Sequence, residues 1–363
     1  MLMTVVLALS LVLAGCGGAK EEPKKEAPKA AEKLKVAFVY VGPVGDAGWT
    51  YAHDQARKFL ESKMPDVQTV FVESVPEGAD SERVITQLVE QGAKIVFTTS
   101  FGYMDPTINV AKKYPNVTFM HCSGFKTAPN VGTYFGRMYQ ARYLSGIAAG
   151  KQTTSNVIGY VAAFPIPEVV RGINAFTVGV RSVNPQAKVK VIWTNTWYDP
   201  AKEKQAAMSL LDAGADVIAQ HQDTPGPMQA AQEKGKFGIG YNTDMSKMAP
   251  KAVLTSPVWN WGPFYVKVVE GVKNKTWKND QYWGSMADNV VDLAPFGPMV
   301  KDDTKKLIDD AKKKIVAGQW DVFWGPVKDQ SGAVKIAAGQ KMSDADMLSF
   351  NWFVEGVEGT ISK

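Results

Sequence analysis

The sequence contains few of the residues that carry covalent or metal chemistry. Of its 363 residues only two are cysteine and only three are histidine. Because Cys16 belongs to a processed N-terminal segment, Cys122 has no partner in the chain, which excludes a fold held by disulfides. His53, His121 and His221 lie far apart and lack metal-ligand spacing. We expect them to be ordinary polar or strand-end residues.

The short motifs of common catalytic and cofactor sites are also missing. The chain has no G-x-S-x-G, H-E-x-x-H, C-x-x-C or G-x-x-x-x-G-K-[ST] motif. Gly42, Gly45 and Gly48 follow the first predicted strand, but their spacing differs from that of a dinucleotide-binding loop. We therefore predict no cofactor, no metal and no enzymatic activity.

Charge of one sign is scarce, and long apolar runs are scarce after the N-terminus. The net charge is +5, and basic residues such as Lys312–Lys314 lie beside acidic ones such as Asp309 and Asp310. This pattern favours a solvated surface and excludes a basic stripe for nucleic acid. After Cys16 no uninterrupted apolar segment reaches the roughly 20 residues that a membrane-spanning helix needs.

What the sequence does contain begins with a secretion signal. The uncharged apolar run Val5–Ala14 leads into L-A-G-C, which ends at Cys16. A short apolar run followed by small residues and cysteine is typical of a lipoprotein signal. We predict a signal peptide over residues 1–15 and lipid on Cys16, which anchors the protein outside the cytoplasmic membrane. Residues 16–33, rich in Lys, Glu and Pro, are predicted to form a flexible tether.

From Leu34 onward, apolar strands alternate with amphipathic helices in two successive runs. The first run extends from strand Leu34–Val41 to strand Val131–Phe135, and the second begins at Asn156–Val161 after a linking helix over Met138–Lys151. Repeated β-α-β alternation predicts an α/β fold with two open parallel, Rossmann-like sheets, each wrapped by helices.

The two sheets predict two lobes joined by a hinge. We assign residues 34–137 and about 258–282 to the N-terminal lobe, and residues 138–257 and about 283–363 to the C-terminal lobe. Ligands of parallel sheets bind beyond the carboxyl ends of the strands. The cleft between the lobes is therefore the predicted binding site.

Tryptophans at predicted strand ends indicate what this cleft holds. Ten tryptophans occur in the chain, and Trp49, Trp197, Trp259 and Trp261 follow predicted strands. Each one alone is more simply explained by packing. One indole from each lobe, however, predicts a slot for a flat ring, because stacking a base on an aromatic face contributes roughly 1–3 kcal/mol.

Polar residues follow the same strands. Asp46, Asp223, Asn242 and Asp244 can offer carboxylate or amide groups to the polar edge of a heterocycle. Asp46 is equally well placed to cap the helix that follows it.

Six segments, in their order and spacing, carry a family resemblance. They are G-D-A-G-W at 45–49, V-A-K-K-Y-P-N-V at 110–117, Y-L-S-G-I-A-A at 143–149, N-A-F-T-V-G at 174–179, W-Y-D-P at 197–200 and G-Y-N-T-D at 240–244. Together they resemble the basic membrane protein family of substrate-binding lipoproteins, from about Leu34 to the end of the chain. The resemblance implies a type I periplasmic-binding-protein fold whose lobes close on a purine and deliver it to the permease of an ABC transporter.

The resemblance also implies site residues. The family's G-D-K-S-F-N loop falls on Gly45 to Thr50, so its aspartate is kept as Asp46 and its stacking Phe becomes Trp49. The second stacking aromatic falls on Trp197. The predicted ligand-binding residues are Asp46, Trp49, Thr50, Ser100, Phe101, Tyr103, Ser123, Phe164, Trp197, Asp223, Asn242 and Asp244.

Two departures from the family pattern bear on the ligand. Asn242 replaces the first carboxylate of a G-v-D-s-D-q turn, and His121-Cys122-Ser123 replaces an expected acidic residue. The lost carboxylates are those that align with a ribose grip, and Asn and Ser accept hydroxyl hydrogens more weakly. The hypothesis is therefore a free purine base, adenine first. Open alternatives are a purine nucleoside, a flavin, a sugar, a nucleoside-cleaving enzyme on the same scaffold, and a sensor or adhesion lipoprotein.

Overall fold

The computed structural model describes residues 33–361. The predicted signal peptide, Cys16 and nearly all of the predicted tether lie outside the described residues. Within them the predicted α/β fold with parallel sheets in two lobes is confirmed.

Strands and helices alternate along the chain. The strands are β1 (Leu34–Val39), β2 (Val67–Val72), β3 (Ile95–Thr98), β4 (Thr118–Cys122), β5 (Val131–Gly136), β6 (Val157–Ala162), β7 (Lys188–Trp193), β8 (Val217–His221), β9 (Phe237–Ile239), β10 (Val253–Thr255), β11 (Pro257–Trp259), β12 (Gln281–Gly284), β13 (Val291–Leu293), β14 (Val327–Lys328), β15 (Val334–Ile336) and β16 (Val357–Glu358). The helices are α1 (Trp49–Lys63), α2 (Ala79–Glu90), α3 (Met104–Lys113), α4 (Met138–Gln152), α5 (Pro167–Val183), α6 (Pro200–Asp212), α7 (Gly226–Glu233), α8 (Gly262–Lys273), α9 (Asp302–Val316) and α10 (Asp344–Leu348).

Each lobe is built on a six-stranded parallel sheet. The N-terminal sheet has the order β12-β5-β4-β3-β1-β2, and the C-terminal sheet has the order β10-β9-β8-β6-β7-β16. Central strands such as β3 are fully buried because helices cover both faces, which explains their continuous apolar sequences. The carboxyl ends of these strands face the cleft, as expected for open parallel sheets.

Helices α4 and α5 pack with their backbones in close contact in the C-terminal lobe. A Cβ atom on Gly146 would lie 2.2 Å from the carbonyl oxygen of Phe176, and one on Gly179 would lie 2.0 Å from that of Tyr143. Only glycine allows this approach. The contact lies in the C-terminal half of α5 and holds this helix against α4.

The chain passes between the lobes three times. The first passage joins β5 to α4, the second leads from β10 through β11 to α8, and the third joins β12 to β13. Strands β11 and β13 pair antiparallel between the two large sheets, so two of the three passages are hydrogen-bonded to each other. No helix in residues 33–361 combines the length and the apolar character needed to cross a membrane.

Candidate functional site

A cavity lies between the lobes at the carboxyl ends of the strands. The cavity is small, with a volume of about 20 Å³. Its lining residues come from both lobes and are Val41, Trp49, Ser100, Phe101, Ser123, Glu168, Trp197, His221, Asp223 and Tyr241. Aromatic walls with a few converging polar groups suit a small, flat, polar-edged ligand.

Trp49 forms the rigid wall of the N-terminal lobe. Its Nε1 donates a hydrogen bond of 2.6 Å to the carbonyl oxygen of Thr99. Its indole meets His53 edge-on, with ring centroids 4.4 Å apart, and Trp259 edge-on at 5.7 Å. Because its hydrogen bond and its neighbours hold the ring in place, it is preorganised as a stacking platform.

Asp46 holds the start of α1 beneath this platform. Its Oδ1 accepts from the backbone N–H groups of Gly48 and Tyr51 at 2.8 and 2.9 Å, and its Oδ2 accepts from that of Thr50 at 2.8 Å. Burial raises the pKa of Asp46 to about 6, although these backbone hydrogen bonds oppose the shift. Both carboxylate oxygens thus support the helix end that carries Trp49.

Trp197 provides the facing wall in the C-terminal lobe. It lies in the loop between β7 and α6 and is half-buried. Its ring packs against Phe164 with centroids 5.0 Å apart and against His221 at 6.4 Å. Since Trp49 and Trp197 line one cavity from opposite lobes, the structure brings together the two indoles singled out in the sequence.

Asp223 is the most deeply buried carboxyl group of the cavity wall. Burial raises its pKa well above the usual range, and the neighbouring Asp46 and Glu203 raise it further. Asn242 donates to its Oδ1 at 3.4 Å and accepts from Trp259 Nε1 at 2.9 Å. A carboxyl group that keeps its proton can donate as well as accept a hydrogen bond.

Glu168 and His221 form a second polar pair on the same wall. Glu168 lies in the first turn of α5, and its Oε1 is 3.5 Å from Nε2 of His221 at the end of β8. Burial lowers the pKa of His221 to about 4, so its ring is neutral at neutral pH. Tyr241 packs beside this histidine with ring centroids 4.6 Å apart.

The lobes touch directly beside the cavity. A Cβ atom on Gly48 would lie 2.2 Å from the carbonyl oxygen of Asp223, so the two backbones meet there. Nearby, the hydroxyl of Thr243 donates to the carbonyl oxygen of Ala47. Both contacts join the N-terminal lobe to the C-terminal lobe and exist only while the cleft is closed.

Half of the predicted site residues line the cavity. They are Trp49, Ser100, Phe101, Ser123, Trp197 and Asp223. Phe164 and Asn242 lie directly behind this lining, against Trp197 and Asp223 respectively.

The remaining predicted residues point elsewhere. Asp46 and Thr50 are engaged at the start of α1, where the Thr50 hydroxyl accepts from the Gly42 N–H at 3.2 Å. The hydroxyl of Tyr103 donates to the carbonyl oxygen of Val75. Asp244 is exposed, and its carboxylate accepts from the N–H of Ser246. The structure does not bring Tyr103 and Asp244 to the cavity.

Four lining residues were not predicted from the sequence: Val41, Glu168, His221 and Tyr241. Three of them follow or end a strand, which is the same signal that pointed to Asp223. Glu168 follows a proline that opens a helix, a signal for a helix start near the sheet edge. Among residues 33–361, no group of three or more His, Cys, Asp or Glu side chains is arranged to hold a metal ion.

Comparison with protein families gives one match that covers most of the chain. The family described as Bmp, ABC transporter substrate-binding protein PnrA-like, matches residues 33–319.

Two relatives match almost over their whole lengths. A purine-binding protein of Brucella abortus is 47% identical over 333 residues, covering 92% of this chain and 95% of its own. A protein of Haloferax volcanii that is named as an ABC transporter glucose-binding protein is 41% identical, covering 92% and 83%.

Solved structures share the fold. A solute-binding protein of an ABC transporter system from Aeropyrum pernix K1 superposes with a TM-score of 0.70 at 18% identity, covering 82% of this chain and 93% of its own. One from Conexibacter woesei gives a TM-score of 0.65 at 23% identity, covering 79% and 98%. At these identities the likeness concerns the two-lobed fold.

Proposed function

The chain belongs to the Bmp family of PnrA-like ABC transporter substrate-binding proteins, and on that premise we propose that it captures a free purine base, adenine first, between its lobes. The captured base is delivered to the permease of an ABC importer in the cytoplasmic membrane. The observation that carries this proposal is the pairing of Trp49 and Trp197 across one narrow cavity.

Stacking supports a planar heterocycle as the ligand. An aromatic face contributes roughly 1–3 kcal/mol per stacked base, and the second face is completed only when the lobes close. Closure is therefore favoured by the extra affinity of the closed state for the ring. The purine-binding relative supports the same class of ligand.

The polar groups support a base in preference to a nucleoside. His121 is fully buried, and its Nδ1 is hydrogen-bonded to the Thr98 hydroxyl at 3.0 Å. Asn242 is engaged by Asp223 and Trp259. In the family pattern these positions would carry carboxylates for a ribose; here the Asn242 amide and the His121 Nδ1 are engaged within the protein.

Calorimetry with adenine, guanine, hypoxanthine, adenosine, inosine and glucose tests the ligand assignment. We expect adenine to bind most tightly and glucose not to bind. Tighter binding of adenosine would favour the nucleoside alternative. Binding of glucose would indicate that this chain takes the ligand for which the Haloferax volcanii relative is named.

The enzyme alternative and the anchor have separate tests. Incubating the protein with adenosine should release no adenine, as followed by chromatography. Cys16, outside the described residues, is proposed to carry the lipid. Cys16→Ala should therefore move the protein from the membrane fraction to the soluble fraction, while retention in the membrane would contradict the anchor.

A further inference from the structure

Glu168 presents a carboxylate to the cavity from the start of a long helix. Its side chain is 14% exposed and lines the cavity at the first turn of the 17-residue helix α5, directly after Pro167. The positive end of the helix dipole stabilises a negative charge at this position. Glu168 is therefore a hydrogen-bond acceptor aimed at whatever fills the cavity.

His221 positions this acceptor from behind. A Cβ atom on Gly172 would lie 3.7 Å from His221 Nδ1, 3.7 Å from Arg142 Nε and 3.8 Å from the Tyr160 hydroxyl oxygen. All three of these polar atoms are buried, with no hydrogen-bond partner among the described residues. Because a carboxylate only accepts hydrogen bonds, the neutral ring of His221 presents its proton on Nε2, the nitrogen nearest Glu168.

The protonated Nε2 faces Glu168. The distance from Nε2 to Oε1 is 3.5 Å. Within residues 33–361 no other group lies closer to the Glu168 carboxylate as a hydrogen-bond donor. Arg142 is held in place behind this wall, because its Nη1 donates to the Gln220 carbonyl oxygen at 2.6 Å and its guanidinium lies 3.6 Å from the Tyr241 ring centroid. Glu168 is thus oriented from one side and keeps free lone pairs for a ligand.

We infer that Glu168, positioned by His221, accepts the ring N–H that a free purine base carries on its imidazole half, and so selects bases against nucleosides. In a nucleoside that nitrogen bears the sugar and has no hydrogen. A nucleoside would therefore leave the carboxylate unpaired in a closed cavity, which costs more than the hydrogen bond itself contributes. This inference rests on the proposed function, because it names the group that separates the two ligand classes.

Asp223 is suited to a different edge of the ring. Its carboxyl group lies against Asn242 and keeps its proton more readily than an exposed aspartate. A protonated carboxyl group offers one donor and one acceptor side by side, which matches the N7 acceptor and the amino donor of adenine. The two acidic residues thus serve different ligand atoms, and only Glu168 is matched to the N–H that distinguishes the base.

Calorimetry with adenine and 9-methyladenine tests the inference. The methyl group replaces the ring hydrogen without adding a sugar. For the wild type we expect adenine to bind about 10- to 100-fold more tightly, the range for a hydrogen bond to a charged group. Glu168→Met keeps the length of the side chain but removes the acceptor. It should weaken adenine and strengthen 9-methyladenine, which no longer leaves a carboxylate unpaired, so that the two affinities come within about threefold of each other.

The positioning role of His221 is tested by the same ratio. His221→Gln can still direct an N–H at Glu168 and should keep most of the preference for adenine, whereas His221→Leu should lose it. Glu233→Ala, which removes an exposed glutamate paired with Lys204 in the same lobe, is the matched control and should leave the ratio unchanged.

Two results would overturn the inference and are distinguishable. If the wild type binds adenine but Glu168→Met keeps the wild-type ratio, only the role of Glu168 is wrong. If the wild type binds neither adenine nor 9-methyladenine, the proposed function fails with it.

Discussion

The two walls of the cleft are built differently. The N-terminal wall is mostly aromatic, and two of its polar groups are used by the fold: Trp49 donates to Thr99, and Asp46 uses both oxygens on the start of α1. The C-terminal wall holds Glu168, His221 and Asp223, and behind it lie buried polar atoms with no partner among the described residues.

This contrast divides the work of recognition between the lobes. Where the fold already uses the polar group of a lining residue, as it does in Trp49, that residue offers the ligand only a surface to stack on. A wall with unused donors and acceptors can read the polar edge of a ligand, because unpaired buried groups are costly until a ligand pairs them. Each lobe supplies one indole for stacking, the C-terminal lobe also reads the polar edge, and all of these contacts become simultaneous only on closure.

Replacing each of the two tryptophans should have the largest effects on stability and binding, and the two variants should differ from each other. Trp49→Ala should lower the free energy of unfolding by about 3–5 kcal/mol, because Trp49 is part of the core of its lobe. Trp197→Ala should cost much less stability, since its ring is half-buried. Each variant should lose about 2–3 kcal/mol of adenine binding. Urea unfolding and calorimetry measure the two quantities, and equal stability losses would contradict the contrast.

Filling the contact between the walls should weaken binding without touching either platform. In Gly48→Ala the added methyl group meets the Asp223 carbonyl oxygen and opposes closure, at a cost of about 1–3 kcal/mol in affinity. Gly45→Ala is the control, because a Cβ atom there meets nothing within 4 Å. Small-angle scattering with adenine should show a more open Gly48→Ala protein, and an equally compact one would count against this contact.

Acid should destabilise the N-terminal lobe through its buried histidines. Burial lowers the pKa of His121 to about 3, from an ordinary value of 6.5. The unfolded chain therefore binds a proton that the folded chain does not bind. The free energy of unfolding falls as the pH drops below 6.5. Protonation of His121 in the unfolded chain lowers the free energy of unfolding by about 2 kcal/mol between pH 6.5 and 5.

His121→Gln removes that contribution. The variant should lose less stability than the wild type between pH 6.5 and 5, as measured by urea unfolding at each pH. His53, whose pKa burial also lowers to about 3, stays in place as an internal reference for the remaining slope. Identical slopes for the variant and the wild type would contradict a buried neutral His121.

The smallest effect should come from the hydrogen bond between the lobes. Thr243→Val removes the hydroxyl that donates to Ala47 and should reduce adenine affinity by about 0.5–1.5 kcal/mol. Thr243→Ser keeps the hydroxyl and should bind as the wild type does. A loss as large in Thr243→Ser as in Thr243→Val would contradict the hydroxyl hydrogen bond as the cause.

The elements of the fold were predictable because their signals are local. The linking helix predicted over Met138–Lys151 is α4 (Met138–Gln152), and the strand predicted over Val131–Phe135 is β5 (Val131–Gly136). Apolar periodicity and flanking glycines or prolines determine such segments within a few residues of the chain.

The site was less predictable because tertiary contacts assemble it. Trp49, Trp197 and Asp223 stood out as residues that follow strands, and the same rule applied to His221 would have added it. Asp244 obeyed the rule but is exposed, because β9 ends at Ile239 and the turn after it points outward. The direction of a loop depends on what it packs against, and the sequence alone does not state that.

A crystal structure of the protein with adenine is the most direct test of recognition shared between two unlike walls. The purine ring should lie between the indoles of Trp49 and Trp197, about 3.5–4.0 Å from each, with its imidazole N–H toward Glu168. A ring bound outside the cleft, or a cleft closed on adenine with either indole turned away, would contradict the account.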